Sequence, residues 1–135
     1  MRNYVPADWR CDNESWKIML NYCRCYPKWK QELNNIRLEY RAAGGSSSGG
    51  GDSSSEVELK VERMMRLEDK IDLVERCCRE AVDRNLKVYA PLLLWVTTKT
   101  PADHIPSPIG RRQLIKYRKQ FFYLLNEELI KRNIL

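Results

Sequence analysis

The sequence predicts an all-α protein. Apolar residues recur every three or four positions along most of the 135-residue chain, which is the spacing of one face of a helix. No segment alternates polar and apolar residues with the period of two that marks a strand. Ser, Thr, Asp, Asn and Pro stand at the points where helices would begin. We therefore expect a helical hairpin and a C-terminal group of helices, joined by a glycine- and serine-rich linker.

Residues 1–43 are predicted to form the N-terminal helical hairpin. The first helix begins at Asp12 or Asn13, because both are favourable N-cap residues, and it ends near Cys25. Pro27 suits the first turn of the second helix, where its missing N–H would have no helical partner anyway. The apolar stripe of this second helix, with spacings of four, three and four, consists of Trp29, Leu33, Ile36 and Tyr40.

Residues 44–55, GGSSSGGGDSSS, have the composition of a flexible linker. Glycine and serine offer almost no apolar surface, so burial cannot offset the entropy lost when such a segment is ordered. We expect this segment to act as a tether.

A long amphipathic helix is predicted over residues 56–84, preceded by a capping box of Ser55 and Glu58. Its apolar stripe could pack against the second helix of the same chain as an antiparallel pair, which is the simpler interpretation. It could also pair with its own copy as a coiled-coil homodimer. The residues of the stripe are Val57, Met64, Leu67, Ile71, Val74, Cys78 and Ala81.

Residues 85–135 are predicted to form a tri-helical unit of the helix-turn-helix type. After a break at Asn85, a buried helix is expected up to about Thr98. The sequence TPAD at 100–103 is typical of the start of a short helix, which the prolines of IPSPIG at 105–110 would end. A long basic helix follows, capped by Ser107 or Gly110. The order of helix, short helix, turn and long helix is that of a helix-turn-helix.

The basic helix separates its charges from its apolar residues. Between Ile109 and Leu125 there are five basic residues and no acidic one. At 100° per residue, one face carries Leu114, Tyr117, Phe121 and Leu125. The other residues are predicted to contact DNA, the cations at phosphates and the Arg and Gln side chains at base edges. These candidate DNA-binding residues are Arg111, Arg112, Gln113, Lys116, Arg118, Lys119, Gln120 and Tyr123.

The net charge of +6 is concentrated at the C-terminal end. Residues 102–135 contain 7 basic and 3 acidic residues, whereas residues 44–101 contain 9 and 10. This distribution favours an acidic partner, either nucleic acid or an acidic protein surface.

Neither an enzyme nor a metal protein is expected. The chain has a single histidine, His104, and it lacks a glycine-rich phosphate loop and a nucleophile motif. The spacing of its five cysteines does not match the common zinc modules, so we interpret them as reduced thiols without a metal or other cofactor. The longest apolar stretch, Val88–Val96, is too short to span a membrane, and no signal peptide is evident.

Three stretches carry a resemblance to known proteins. They are W16-K17, Y22-C23 and YPKWK at 26–30 near the N-terminus, LEDKIDLVE at 67–75, and PIGRRQLIKYRKQFFYLL at 108–125. Together they resemble small proteins encoded in prophages and mobile elements of Firmicutes. The region from Leu86 to Leu129 is similar to the sigma-region-4-like helix-turn-helix of phage late transcription regulators of the ArpU and RinA type.

The resemblance implies DNA binding at a promoter or a packaging region, in the cytoplasm of a bacterial host. It assigns the role of the recognition helix to Arg111, Arg112, Gln113, Lys116, Lys119 and Gln120. We therefore predict a transcription regulator that binds double-stranded DNA. The alternatives are a small protein-binding module, acting on RNA polymerase or inhibiting another host nucleic-acid enzyme, and a small subunit of a DNA-packaging motor. In the protein-binding module, Trp9, Trp16 and Tyr123 would be exposed anchors, unless they simply pack in the core.

Overall fold

A computed structural model describes residues 5–44 and 53–135 of the chain. Over these two ranges there are five α-helices, two short 3-10 turns and no strand, so the all-α prediction is confirmed. The 3-10 turns lie at Leu86–Val88 and Ala102–His104. The α-helices are α1 (Asn13–Arg24), α2 (Tyr26–Gly44), α3 (Ser53–Val82), α4 (Tyr89–Thr97) and α5 (Arg111–Lys131).

The first two helices begin where the sequence predicts. Asp12 caps α1, because its carboxylate accepts hydrogen bonds from the backbone N–H of Ser15 (3.1 Å) and from the Ser15 hydroxyl (2.7 Å). A single residue, Cys25, separates α1 from α2, and Pro27 lies in the first turn of α2. Helix α2 therefore follows α1 almost without interruption, and it packs mainly along α3.

Helices α2 and α3 form an antiparallel pair within the chain, as the simpler interpretation predicts. Ion pairs run along the pair from Lys30–Glu75 (3.5 Å) at one end to Lys60–Glu39 (3.9 Å) at the other. The C-terminal part of the α3 stripe is buried in the same chain, so it is not free to face a second copy. These buried residues are Leu67, Ile71, Val74, Cys78 and Ala81.

Helix α5 also runs antiparallel to α3, along another side of it. Gln120 of α5 donates a hydrogen bond to the carbonyl oxygen of Ala81 (3.3 Å), and Arg132 pairs with Asp69 towards the opposite end (2.5 Å). Helix α3 is therefore the central element, with α2 and α5 packed along it.

The N-terminal helices share one core with the C-terminal helices. The Trp16 ring of α1 packs on Phe122 of α5 with ring centroids 4.6 Å apart, and Trp9 packs edge-on against Tyr123 at 5.5 Å. All three aromatic residues proposed as exposed anchors are half-buried. Trp9 and Trp16 pack against the core, and Tyr123 packs against Trp9.

Two segments differ from the sequence-based expectation. Helix α3 begins at Ser53 and α2 extends to Gly44, so both ends of the predicted linker are helical, and residues 45–52 lie outside the described ranges. The predicted short helix after TPAD is a single 3-10 turn, Ala102–His104, with no side-chain cap. Prolines on both sides of this turn fix the backbone and remove N–H donors, which prevents the helix from extending.

Residues 85–135 contain α4, the 3-10 turn Ala102–His104 and α5, in the predicted order. Only one 3-10 turn separates α4 from α5, and α5 packs most extensively along α3 rather than against a second short α-helix. The C-terminal segment therefore depends on α3 for its core. None of the helices in the described ranges is both long enough and apolar enough to cross a membrane.

Three cysteines, Cys23, Cys77 and Cys78, are buried in the core as free thiols. Burial raises the pKa of Cys77 to about 12, and it also raises the pKa of Cys23 and of Cys78. These residues therefore stay neutral at physiological pH and pack as small apolar side chains. Within the described ranges, no three His, Cys, Asp or Glu residues are grouped in a way that could hold a metal ion.

Candidate nucleic-acid interface

Helix α5 presents the candidate interface on its outer side because its inner side is firmly anchored. Gly110 is the N-cap residue, and 21 residues follow in regular helix. The buried side contacts α3, α1 and α4, so the orientation of the whole helix is fixed by apolar packing. The buried residues of α5 are Leu114, Tyr117, Gln120, Phe121, Phe122, Leu125 and Leu129.

The outer side carries a row that we call the basic face, formed by Arg112, Gln113, Lys116 and Lys119. All four residues are exposed. Among the described residues, no carboxylate lies within 4.0 Å of the three cations of this face. Their spacing of three and four positions places the cations over about two helical turns.

The surrounding sequence leaves this charge uncompensated. From Arg84 to Asn126 there are eight basic residues and one acidic residue, Asp103. Asp103 is already paired with Arg111, whose guanidinium Nη1 lies 3.1 Å from the Asp103 Oδ1 atom. The other seven basic side chains of this stretch have no acidic partner within 4.0 Å in the described ranges.

Two residues predicted to contact DNA lie on the inner side of α5 instead. Gln120 is only 1% exposed and donates to the Ala81 carbonyl oxygen, so its amide does not reach a base edge. Arg118 is half-buried among aromatic rings. The sequence-based prediction was wrong for Gln120 because it assumed one apolar face, whereas α5 is covered on two flanks and buries a wider arc. Contact of Arg118 with the DNA backbone stays a prediction.

The remaining predicted residues lie at the margins of the basic face. Tyr123 is half-buried, with its ring against Trp9. Arg111 is exposed but is held by Asp103 at the turn that precedes α5. The residues of the prediction that the structure brings together on one open surface are therefore Arg112, Gln113, Lys116 and Lys119.

Arg118 is enclosed by three aromatic side chains. The central carbon of its guanidinium lies 4.8 Å from the ring centroid of Trp95, 5.1 Å from Phe122 and 5.2 Å from Trp16. Its Nε atom is buried and has no hydrogen-bond partner in the described structure. Burial, together with the like charge of Arg24, lowers the pKa of Arg118, although arginine remains protonated in proteins.

A cleft of about 430 Å³ opens beside the basic face, between the end of α3 and the start of α5. Asp83, Arg84 and Asn85 line one side, and Gln113 and Tyr117 line the other. Asn85 Nδ2 donates to the Tyr117 hydroxyl oxygen (3.1 Å) and so holds the two sides together. Asp83 has a positive φ of 53°, which reverses the chain after α3.

The cleft adds cations that sequence reasoning missed. Arg84 lines it, and the exposed Lys87 follows in the first 3-10 turn. The only sequence signal for these two cations was their position after the long amphipathic helix. The proximity of Arg84 to Gln113 depends on the antiparallel register of α3 and α5, which sequence periodicity does not specify.

Comparisons of the chain with protein-family models, with curated proteins and with solved structures found no match. The site is therefore interpreted from its own residues, and the resemblance to prophage proteins stays a prediction.

Proposed function

We propose that this chain is a non-enzymatic protein that binds double-stranded DNA through the basic face of α5, as a transcription regulator of phage type. The observation that supports this proposal is the row of exposed, unpaired cations on a helix whose opposite side is fully anchored. A row of unpaired cations on a rigid helix is suited to repeated negative charges such as phosphates.

The dimensions of α5 suit a groove of DNA. Its 21 residues span about 31 Å, and an α-helix fits the major groove of B-form DNA. Arg112 and Gln113 lie in the first turn, the part of a recognition helix that contacts base edges in helix-turn-helix proteins. No acidic residue occupies this first turn, so the positive end of the helix dipole adds to the attraction for phosphate.

The remaining cations have positions suited to the DNA backbone. Lys116 and Lys119 lie one and two turns further along the basic face and would contact phosphates. Arg84 lines the cleft, Lys87 follows it in the chain, and both would contact the neighbouring DNA strand. Gln120 is excluded from this role because it is buried and donates to the Ala81 carbonyl oxygen.

The proposal is tested by binding to a library of double-stranded DNA at several salt concentrations. Each phosphate contact contributes a slope of about −0.9 to log affinity against log salt. Changing Arg112, Lys116 and Lys119 together to Ala should therefore reduce the slope by about 3 and remove any enriched sequence motif. Circular dichroism and thermal melting should be unchanged, because all three residues are exposed.

A matched control removes the same charge elsewhere. Arg10, Lys28 and Arg41 are also exposed, lie outside α5 and have no carboxylate within 4.0 Å in the described residues. The triple Ala variant at these positions should retain the motif and most of the slope. Equal losses in both triple variants would show that net charge alone attracts DNA, and a slope near zero in the wild type would contradict the proposal.

One observation favours a second candidate, a module that binds an acidic protein such as a surface of RNA polymerase. Ile115 is 48% exposed and lies one helical turn from Lys119, so an exposed apolar side chain borders the basic face. Apolar contact area of this kind is typical of protein interfaces. If Ile115→Gln abolishes binding to purified RNA polymerase, with no effect on DNA binding, the second candidate is preferred.

A further inference from the structure

A second pocket of about 200 Å³ lies where α1, α4 and α5 meet. Arg24 at the end of α1, Lys99 in the loop after α4, and Arg118 of α5 contribute three cations to its lining. Thr98 and Thr100 contribute hydroxyl groups, and no carboxylate side chain lines the pocket. Such a combination of groups presents several hydrogen-bond donors and a concentrated positive charge.

The loop that bears the hydroxyl groups is held in place by its own hydrogen bonds. Thr98 Oγ1 donates to the carbonyl oxygen of Leu94 (2.6 Å) and accepts from the backbone N–H of Thr100 (3.3 Å). It also lies 2.8 Å from Thr100 Oγ1. These bonds fix the loop against the end of α4, so the backbone that carries Lys99 is held in place.

Arg118 supplies the reason to expect a ligand. The rings of Trp16, Trp95 and Phe122 hold its guanidinium in place but offer no lone pair for its N–H groups. No carboxylate among the described residues lies within 4.0 Å of the group, so its charge has no anionic partner there. A half-buried arginine is normally balanced by an anion, because an unpaired charge is unfavourable away from water.

We propose that the pocket lined by Arg24, Lys99 and Arg118 binds a phosphate group. A tetrahedral oxyanion can accept two parallel hydrogen bonds from a guanidinium and further bonds from the lysine and a threonine hydroxyl. The volume of the pocket exceeds that of several water molecules at about 30 Å³ each, which leaves room for one such anion.

The pocket is separate from the basic face and does not depend on the proposed function. Arg118 and Lys116 are two positions apart, so their side chains leave α5 about 200° apart around the helix axis. The phosphate could belong to a small phosphorylated compound or to the backbone of a nucleic acid that extends past α5, and both sources share the same recognition chemistry.

The first measurement is a titration of the full chain with inorganic orthophosphate, with sodium chloride adjusted to hold ionic strength constant. The side-chain Nε–H signal of Arg118 is followed by proton–nitrogen NMR. We expect a saturable shift with a Kd of about 1 mM or below. Absence of a saturable shift in the wild type would overturn the proposal.

Two matched variants identify the site without disturbing the core. Lys99→Gln removes an exposed cation of the pocket and should weaken orthophosphate binding by about tenfold. Lys28→Gln removes an exposed cation of α2, outside both the pocket and the basic face, and should leave orthophosphate binding unchanged. Equal effects of the two substitutions would overturn the proposal, because they would indicate a general attraction of anions to the chain.

Measurements of DNA duplex binding distinguish the two sources of phosphate. If Lys99→Gln weakens duplex binding and orthophosphate competes with the duplex at constant ionic strength, the pocket takes a backbone phosphate. If orthophosphate binds while duplex binding is unchanged in Lys99→Gln, the ligand is a small phosphorylated compound. If the proposed function is wrong, neither the wild type nor the variants bind the duplex, while the wild type still shows the saturable shift with orthophosphate.

Discussion

Helices α2 and α5 both run antiparallel to α3, yet they are attached to it in different ways. Four ion pairs join α2 to α3, and only a few side chains of α2 are fully buried. Helix α5 buries seven residues, two of them phenylalanines, and leaves most of its cations without partners. The ion pairs between α2 and α3 are Lys30–Glu75, Arg37–Glu68, Lys60–Glu39 and Arg63–Glu32.

The difference shows that charge has different uses on the two sides of α3. Along α2, opposite charges neutralise one another at the protein surface, where such pairs contribute modestly to stability. Along α5, apolar burial is supplemented by two ion pairs to α3 near the C-terminal end, Arg76–Glu128 and Arg132–Asp69. The cations of the basic face take part in neither pair, so they are not needed for the fold. Unpaired cations that stability does not require are available for a negatively charged partner.

The largest expected effect comes from breaking the packing of α5. Phe121 is fully buried and lies edge-on to Phe122, with ring centroids 5.1 Å apart. Phe121→Ala should lower the free energy of unfolding by about 3–5 kcal/mol, measured by urea denaturation. Tyr40→Ala, at a 45% exposed position near the end of α2, should cost less than about 1 kcal/mol. Similar losses in both variants would contradict the contrast between the two helices.

A smaller effect is expected at the best-buried polar contact between α2 and α3. The Tyr26 hydroxyl donates a hydrogen bond to the Glu75 carboxylate, and Tyr26 is 6% exposed. Tyr26→Phe should lower the free energy of unfolding by about 1–2 kcal/mol at pH 7. Tyr40→Phe serves as the control and should be neutral.

Tyr26 should also make the stability of the protein depend on pH in the alkaline range. Burial, reinforced by the hydrogen bond to Glu75, raises the pKa of Tyr26 above its ordinary value of 10.0. Because the unfolded chain loses this proton first, rising pH above about 10 favours unfolding. Above pH 10 the free energy of unfolding should fall less steeply with pH in Tyr26→Phe than in the wild type. Identical slopes in the two proteins would contradict the raised pKa of Tyr26.

The smallest effect is expected for an exposed ion pair of the same interface. Arg37 and Glu68 lie 3.0 Å apart, and both side chains are about half exposed. A double-mutant cycle with Arg37→Ala and Glu68→Ala should give a coupling free energy of about 0.2–1 kcal/mol at low salt, decreasing in 1 M salt. A coupling above about 2 kcal/mol would show that ion pairs, rather than buried apolar residues, hold α2 in place.

Much of the fold could be predicted from local sequence. Helix capping located the start of α1 at Asp12, and three-four spacing identified Leu33 and Ile36 as buried residues of α2. The predicted break at Asn85 lies three residues after the end of α3 at Val82. These features depend only on neighbouring residues, so a single sequence is sufficient to predict them.

Part of the candidate site could not be predicted, because it depends on which helices pack together. The periodicity of α5 gave the direction of its apolar face but not the width of the buried arc. That width is set by α3 on one flank and by α1 and α4 on the other, and it places Gln120 and Arg118 inside. The pocket around Arg24 and Lys99 joins residues far apart in the chain, which sequence periodicity cannot relate.

The antiparallel pairing of α2 and α3 also has a practical consequence for protein engineering. The Glu39–Lys60 ion pair places Gly44 and Ser53 at the same end of the pair, whereas Arg84 and the cleft lie beyond the other end of α3. Thirty helical residues separate the two ends by about 45 Å. A reporter domain inserted between Gly44 and Ser53 would therefore lie far from the basic face.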